Sequence, residues 1–463
     1  MTSPVTVRPA LALPVRPIAL GDRVWRRTHI IGIIGPIDLP SPEQMRDVLF
    51  RLAAVAPGTR LLCTLEGNRS RWRRVPGPRL AEHIDRMVRT LPGPVSGAED
   101  ASDLVEHTLR TLAEDLPLRI LLGRDHVLFE MSHLVGDGQQ LDPIWAELLA
   151  RAADGGVPRW AGDSGPRLAL PRAIAATFGR DAGRLARVVR DPQRRAVAPP
   201  ARAGTAAPAR AGERGSTTPG GDITAAIDAG PTATAAGADG VFATGLADPG
   251  CVIRRSGPDL LREVRAARGD RSAGRSVAGI LFAATWSAVE KAGLPTPPPG
   301  MWVLFDGRRY VPVPTRAKGN FVAGIFLEPE DPGDPAAISA AMREVIDSGR
   351  PVATMAAAAA RQLVPVPRQP SGSASAAAPA PTLALNYLPR LSRIGELPWQ
   401  GEVSERVLGL APTPAEGGGM TVTLAELAGC LHVSATFDAA LFDREAVRMM
   451  ADLLCTDPLG LLR

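Results

Sequence analysis

Cysteine is scarce in this 463-residue chain: Cys63, Cys251, Cys430 and Cys455 are scattered, and no two stand at a metal-ligand spacing. That excludes a disulfide framework and a cysteine metal centre, and leads us to expect reduced thiols in a cytoplasmic protein. No apolar run reaches the roughly 18 residues that a membrane helix needs, which excludes stable insertion by that route. The first twenty residues break their apolar part with Pro and Arg, unlike a signal peptide. The net charge is +5, yet no nucleic-acid-binding motif accompanies it, so nucleic acid is not an expected partner. Clusters such as Arg71, Arg73 and Arg74 fit a solvated face, with phosphate attraction as the alternative. His126 and His133 are seven residues apart with no pattern of metal ligands around the pair, so no metal site is expected. Irregular chain is not lacking: 45 Pro and 47 Gly point to long segments without regular structure.

What is present centres on one stretch, His126 to Leu149. Val127 to Met131 has the apolar, β-branched and aromatic content of a buried strand. Gly136-Asp137-Gly138 breaks it with turn chemistry. From Gln139 onward, Leu141, Ile144, Trp145, Leu148 and Leu149 recur at helical spacing and mark one apolar face. His133 therefore sits where a rigid strand opens into a Gly-rich loop, a position that suits a general base. Taken alone, a histidine there is better read as a satisfied structural residue. Asp137 could likewise serve only as the cap of the following helix.

Elsewhere the patterns predict a strand over 28–34 and a helix opening at Ser41-Pro42 with Met45, Val48, Leu49 and Leu52 inward. A hairpin over 60–75, an amphipathic helix over 104–112 and a strand over 117–122 follow. A further helix is expected over 170–189. Residues 192–240 contain almost no large apolar side chain and cannot offset the entropy of ordering, so they are expected to form a flexible linker. We therefore expect a first lobe over 1–191 and a second over 241–463. The second has an apolar helix over 276–292, strands over 302–305 and 383–388, and a closing strand and helix over 430–454. Residues 369–381 form a shorter low-complexity loop.

Ser132-His133-Leu134-Val135-Gly136-Asp137-Gly138 resembles the HHxxxDG signature of the CoA-dependent acyltransferase superfamily, with Ser132 in place of the first histidine. That group includes condensation domains, wax ester synthases, polyketide-associated acyltransferases and chloramphenicol acetyltransferase. Other stretches are similar in the same order: the Arg-bearing turn at Arg308-Arg309, Gly319-Asn320, the Leu383 to Leu388 strand with Asn386-Tyr387, and the closing Phe437-Asp438. The resemblance implies an α/β fold of two chloramphenicol-acetyltransferase-like lobes. Their sheets would be mixed and largely antiparallel, flanked by helices and set in a V with a tunnel between them.

It further implies an acyltransferase, with His133 as general base and Asp137 as an architectural partner of Arg308 or, failing that, Arg309. Gly138 would permit a tight turn. Ser132 and backbone N–H groups near Gly138 are candidates for the oxyanion, while Asn386 and Tyr387 divide between core and cleft. The donor would be acyl-CoA or a phosphopantetheinyl carrier protein, used as substrate with no bound cofactor. The acceptor would be a small alcohol or amine, and the protein a monomer. Two alternatives accompany this reading. One is a stand-alone condensation enzyme that uses carrier-bound substrates; the other is a degenerate binding member, suggested by Ser132.

Overall fold

The computed structural model describes residues 15–66, 71–162, 168–190, 248–269, 274–297, 300–312, 319–363, 381–414 and 419–463. Residues 192–240, expected as a linker, and 369–380 lie outside the described residues. The first half of the chain contributes strands β1 (Val15–Pro17), β2 (His29–Gly35), β3 (Cys63–Leu65), β4 (Arg71–Arg74), β5 (Val88–Thr90), β6 (Leu118–Leu122) and β7 (Val127–Ser132). The second half contributes β8 (Pro249–Arg255), β9 (Met301–Asp306), β10 (Val322–Leu327), β11 (Thr382–Leu388), β12 (Val407–Pro412), β13 (Gly419–Leu427) and β14 (Cys430–Asp438). They form a small sheet β1-β4-β3, a five-stranded sheet β12-β2-β7-β6-β5 and a six-stranded sheet β10-β9-β11-β13-β14-β8. Pairings are antiparallel except β5 with β6 and β11 with both β9 and β13. The fold is thus α/β with largely antiparallel sheets, as the resemblance implies.

Each large sheet has its own core. Helix Pro42–Val55 starts from a capping box between Ser41 and Gln44 and buries Met45, Val48, Leu49 and Leu52. With the apolar face of helix Gly138–Asp154 it covers one side of the five-stranded sheet, around Phe129 and Trp145, whose rings stack. Helices Val277–Lys291 and Arg444–Thr456 cover one side of the six-stranded sheet, burying Leu281, Phe282, Met450 and Leu454. The helix expected over 170–189 is two helices, Ala169–Phe178 and Ala182–Arg190, separated at Gly179.

The expected division at residue 241 does not describe sheet membership. β12, from the second half, completes the first sheet by pairing with β2, and Leu391 and Ile394 pack into the first core. Gly409 makes this crossover possible, because a Cβ there would lie 2.4 Å from Ile253 and 2.9 Å from Ile33. A second tie runs the other way. β8 is the edge of the second sheet, and its backbone N–H groups at Cys251 and Ile253 donate to Glu106 (3.1 Å) and Ser102 (2.9 Å) of helix Ala98–Arg110. The first half thereby covers an edge that would otherwise be open to pairing.

Gly32 of β2 lies under the Trp145 indole, where a Cβ would come within 2.0 Å of the ring. Trp145 is fully buried and has nowhere to swing. Gly32→Ala should cost about 1–3 kcal/mol through overpacking. At Gly324 the nearest atom to an added Cβ is 3.6 Å away, so Gly324→Ala should change stability by less than about 0.5 kcal/mol. Urea unfolding of the two variants checks the contrast.

Candidate active site

The motif loop leaves β7 at Ser132. The His133 backbone N–H donates to the Thr28 carbonyl at 2.8 Å, which fixes the start of the loop against the strand beside it. Asp137 occupies the N-cap position of helix Gly138–Asp154, yet its side chain caps nothing there. Its carboxylate instead faces the second half of the chain. Arg308 donates to both oxygens, from Nη1 at 2.8 Å and Nη2 at 3.1 Å, and the Phe321 backbone N–H adds a third bond at 2.9 Å. Asp137 is 1% exposed. Arg308 also donates to the Gly319 carbonyl at 2.9 Å and to Asp306 at 3.2 Å. A bidentate guanidinium–carboxylate pair in this setting fixes orientation as well as charge.

His133 is held from two sides. Trp25 stacks on its ring, centroids 4.4 Å apart and planes 12° from parallel. Asn320 brackets the residue: its Nδ2 donates to the His133 carbonyl at 2.6 Å and its Oδ1 lies 2.6 Å from His133 Nδ1. Because the amide NH₂ faces a carbonyl, the oxygen must face the ring, so Nδ1 carries the proton and Nε2 keeps its lone pair. Asn320 is set in turn by Asp22, whose Oδ1 accepts from its backbone N–H and Nδ2, both at 3.3 Å. Arg60 donates to the other Asp22 oxygen at 2.8 Å and to the Leu134 carbonyl at 3.0 Å, which closes the circuit on the motif loop. Burial pushes the His133 imidazole below its ordinary value of 6.5, opposed by the Asp137 charge and the bond to Asn320. Burial thus favours the neutral imidazole.

His133 and Gly138 open onto a cavity of about 1320 Å³ that both large sheets line. Ile30 and Leu410 come from the first sheet; Trp302, Leu304, Val322 and Asn386 come from the second. Gly138 lies close to the second half, since a Cβ there would stand 3.1 Å from Leu388 Cδ2.

No family model matches the sequence, and no curated protein does. Solved structures do. The TRI3 trichothecene 15-O-acetyltransferase from Fusarium sporotrichioides is 11% identical, with a TM-score of 0.57 over 95% of each chain. The condensation domain from Monacolin K polyketide synthase MokA is 16% identical, with a TM-score of 0.55 over 97% of each chain. The polyketide synthase associated protein 5 from Mycobacterium tuberculosis is 14% identical, with a TM-score of 0.52 over 96% of this chain and 98% of that one. The chain has the condensation-domain fold. Identities this low carry the architecture and leave the reaction to the site.

Within this condensation-domain fold the expected residues separate. His133, Asp137, Gly138 and Arg308 converge, and Arg308 rather than Arg309 holds the aspartate. Ser132 does not belong with them: it is fully buried at the end of β7, outside the cavity lining, with its Oγ 3.4 Å from the Leu134 N–H. Strand alternation turns it away from the side His133 takes. Asn386 and Tyr387 both line the cavity, and the Tyr387 ring also packs on the second core, with its hydroxyl donating to Glu426. Asp22, Trp25, Arg60 and Asn320 were not anticipated. Gly319-Asn320 stood out as a landmark without a role, and the other three carry no local signal.

Two predictions follow from this geometry. Asp137→Ala and Arg308→Ala should each cost about 3–5 kcal/mol, because each strands a buried charge. The double variant should lose clearly less than the sum; additive losses in urea unfolding would refute the coupling. Asn320→Asp places a carboxylate against Nδ1 and should raise the His133 titration midpoint from its position below 6.5. NMR of the imidazole nitrogens reads the shift, and a fall would show that Asn320 does not govern the ring.

Proposed function

We propose that the protein is an acyltransferase that moves an acyl group from a phosphopantetheine thioester to an alcohol or amine. The observation that carries this reading is the placement of His133, its Nδ1 held 2.6 Å from Asn320 Oδ1, at the wall of a cavity shared by two sheets. The similarity of the fold to an acetyltransferase and a condensation domain supports it. In the proposed step, Nε2 takes the proton of the acceptor hydroxyl or amine as its oxygen or nitrogen attacks the thioester carbonyl. The tetrahedral oxyanion needs donors. Asp137 is committed to Arg308, so the first-turn N–H groups of helix Gly138–Asp154 lack a side-chain cap. Gly138 and Gln139 both line the cavity, and we assign the oxyanion to this helix end rather than to Ser132. Collapse breaks the carbon–sulfur bond, and the imidazolium returns its proton to the departing thiolate. The donor is acyl-CoA or a carrier protein, and the setting is lipid or natural-product biosynthesis.

Incubation with acyl-CoA and with carrier-bound acyl donors, with free thiol followed by a thiol-reactive dye, tests the reading and distinguishes the donors. His133→Ala should lower transfer about 10²- to 10⁴-fold while the fold stays intact. Unchanged turnover in that variant would remove His133 from the chemistry.

A further inference from the structure

The cavity wall built by the six-stranded sheet is not uniformly apolar. On β9, Trp302 and Leu304 face the cavity, while Met301, Val303 and Phe305 face the core. On β13, Thr421 and Thr423 face the cavity, while Met420, Val422 and Leu424 face the core. Thr423 is 1% exposed, and its Oγ1 has no hydrogen-bond partner among the described residues. Its cross-strand neighbours differ. Ser434, opposite Thr423 on β14, accepts from the Leu410 N–H at 3.0 Å. Thr436, opposite Thr421, donates to the Pro412 carbonyl at 2.8 Å. Those two hydroxyls dock β12. Thr423 docks nothing, and its neighbour on the other side is the cavity-facing Asn386 of β11.

A buried hydroxyl without a partner loses its water for no return, and valine would serve the strand equally well. We infer that Thr423, with Asn386 beside it, is a specificity-determining residue that binds a neutral hydroxyl or amide carried by the substrate, whose body lies along Trp302 and Leu304. The site is close to the chemistry. Leu388, 3.1 Å from where a Cβ on Gly138 would stand, lies two residues along β11 from Asn386, or about 7 Å. The substrate class is therefore an apolar acyl chain or acceptor bearing a hydrogen-bonding group, and not a plain hydrocarbon. The inference rests on the acyltransfer reading only in naming the ligand as donor or acceptor.

Calorimetry on the intact protein with unreacted ligands tests it. One pair is octanoyl-CoA and 3-hydroxyoctanoyl-CoA; the other is 1-octanol and 1,3-octanediol. The wild type should bind the hydroxylated member of at least one pair about tenfold more tightly, as one neutral hydrogen bond allows. The pair that discriminates identifies donor or acceptor as the carrier of the group. Thr423→Val should bring that ratio to within about twofold, and its Tm without ligand should equal or exceed that of the wild type. Thr436→Val, which undocks β12, should lower the Tm. A wild type that distinguishes neither pair, a Thr423→Val protein that keeps the preference, or a clear drop in its Tm would each overturn the proposal. Binding that follows this pattern without any acyl transfer would sink the acyltransfer reading and leave this one standing.

Discussion

Two buried carboxylates from the first half of the chain grip residues 319–321 of the second. Asp137 takes the Phe321 N–H and, through Arg308, the Gly319 carbonyl. Asp22 takes the backbone and side-chain N–H groups of Asn320. Between these grips sits the residue that sets the His133 tautomer. A carboxylate removed from water is tolerated only where charge-assisted bonds replace its hydration, and Asp137 receives three such bonds. The arrangement is therefore all or nothing: without Arg308 the aspartate becomes a stranded charge, and residues 319–321 lose the anchor that presents Asn320.

The rest of the architecture brings those groups within reach. β12 crosses into the first sheet, and helix Ala98–Arg110 caps the edge strand of the second. Exchanges in both directions restrict how far the halves can slide, which matters when the proposed base lies on one and the residue that holds it on the other. A 1 Å displacement at that junction would separate Asn320 from the imidazole, and catalytic groups tolerate little looseness of this kind.

The cavity reflects the same division of labour. The first half supplies the proposed base and the open helix end, and the second supplies most of the wall against which a substrate would lie. β9, β11 and β13 each give one face to a core and the other to the cavity. The alternation that makes a strand amphipathic thus becomes the means of placing Trp302, Asn386 and Thr423 on one cavity wall.

By itself the sequence determined the elements whose signal is local. The strand, turn and helix around His133 were legible because apolar period and Gly-Asp-Gly chemistry act over a few residues, and the capping box at Ser41 for the same reason. Strands with weak local pattern were not: β8 opens with Pro-Gly and closes with two arginines, and β12 is a strand only because β2 lies beside it. The pairing of Asp137 with Arg308 was anticipated through family resemblance, not from spacing. The tertiary structure alone decided that Asp22, Trp25, Arg60 and Asn320 surround the histidine, that Ser132 does not, and that Asn386 and Tyr387 both reach the cavity. Asn320 is 187 residues from His133 in the chain and 298 from Asp22. At such separations only the packing of two cores brings hydrogen-bonding partners together, and no local periodicity records it.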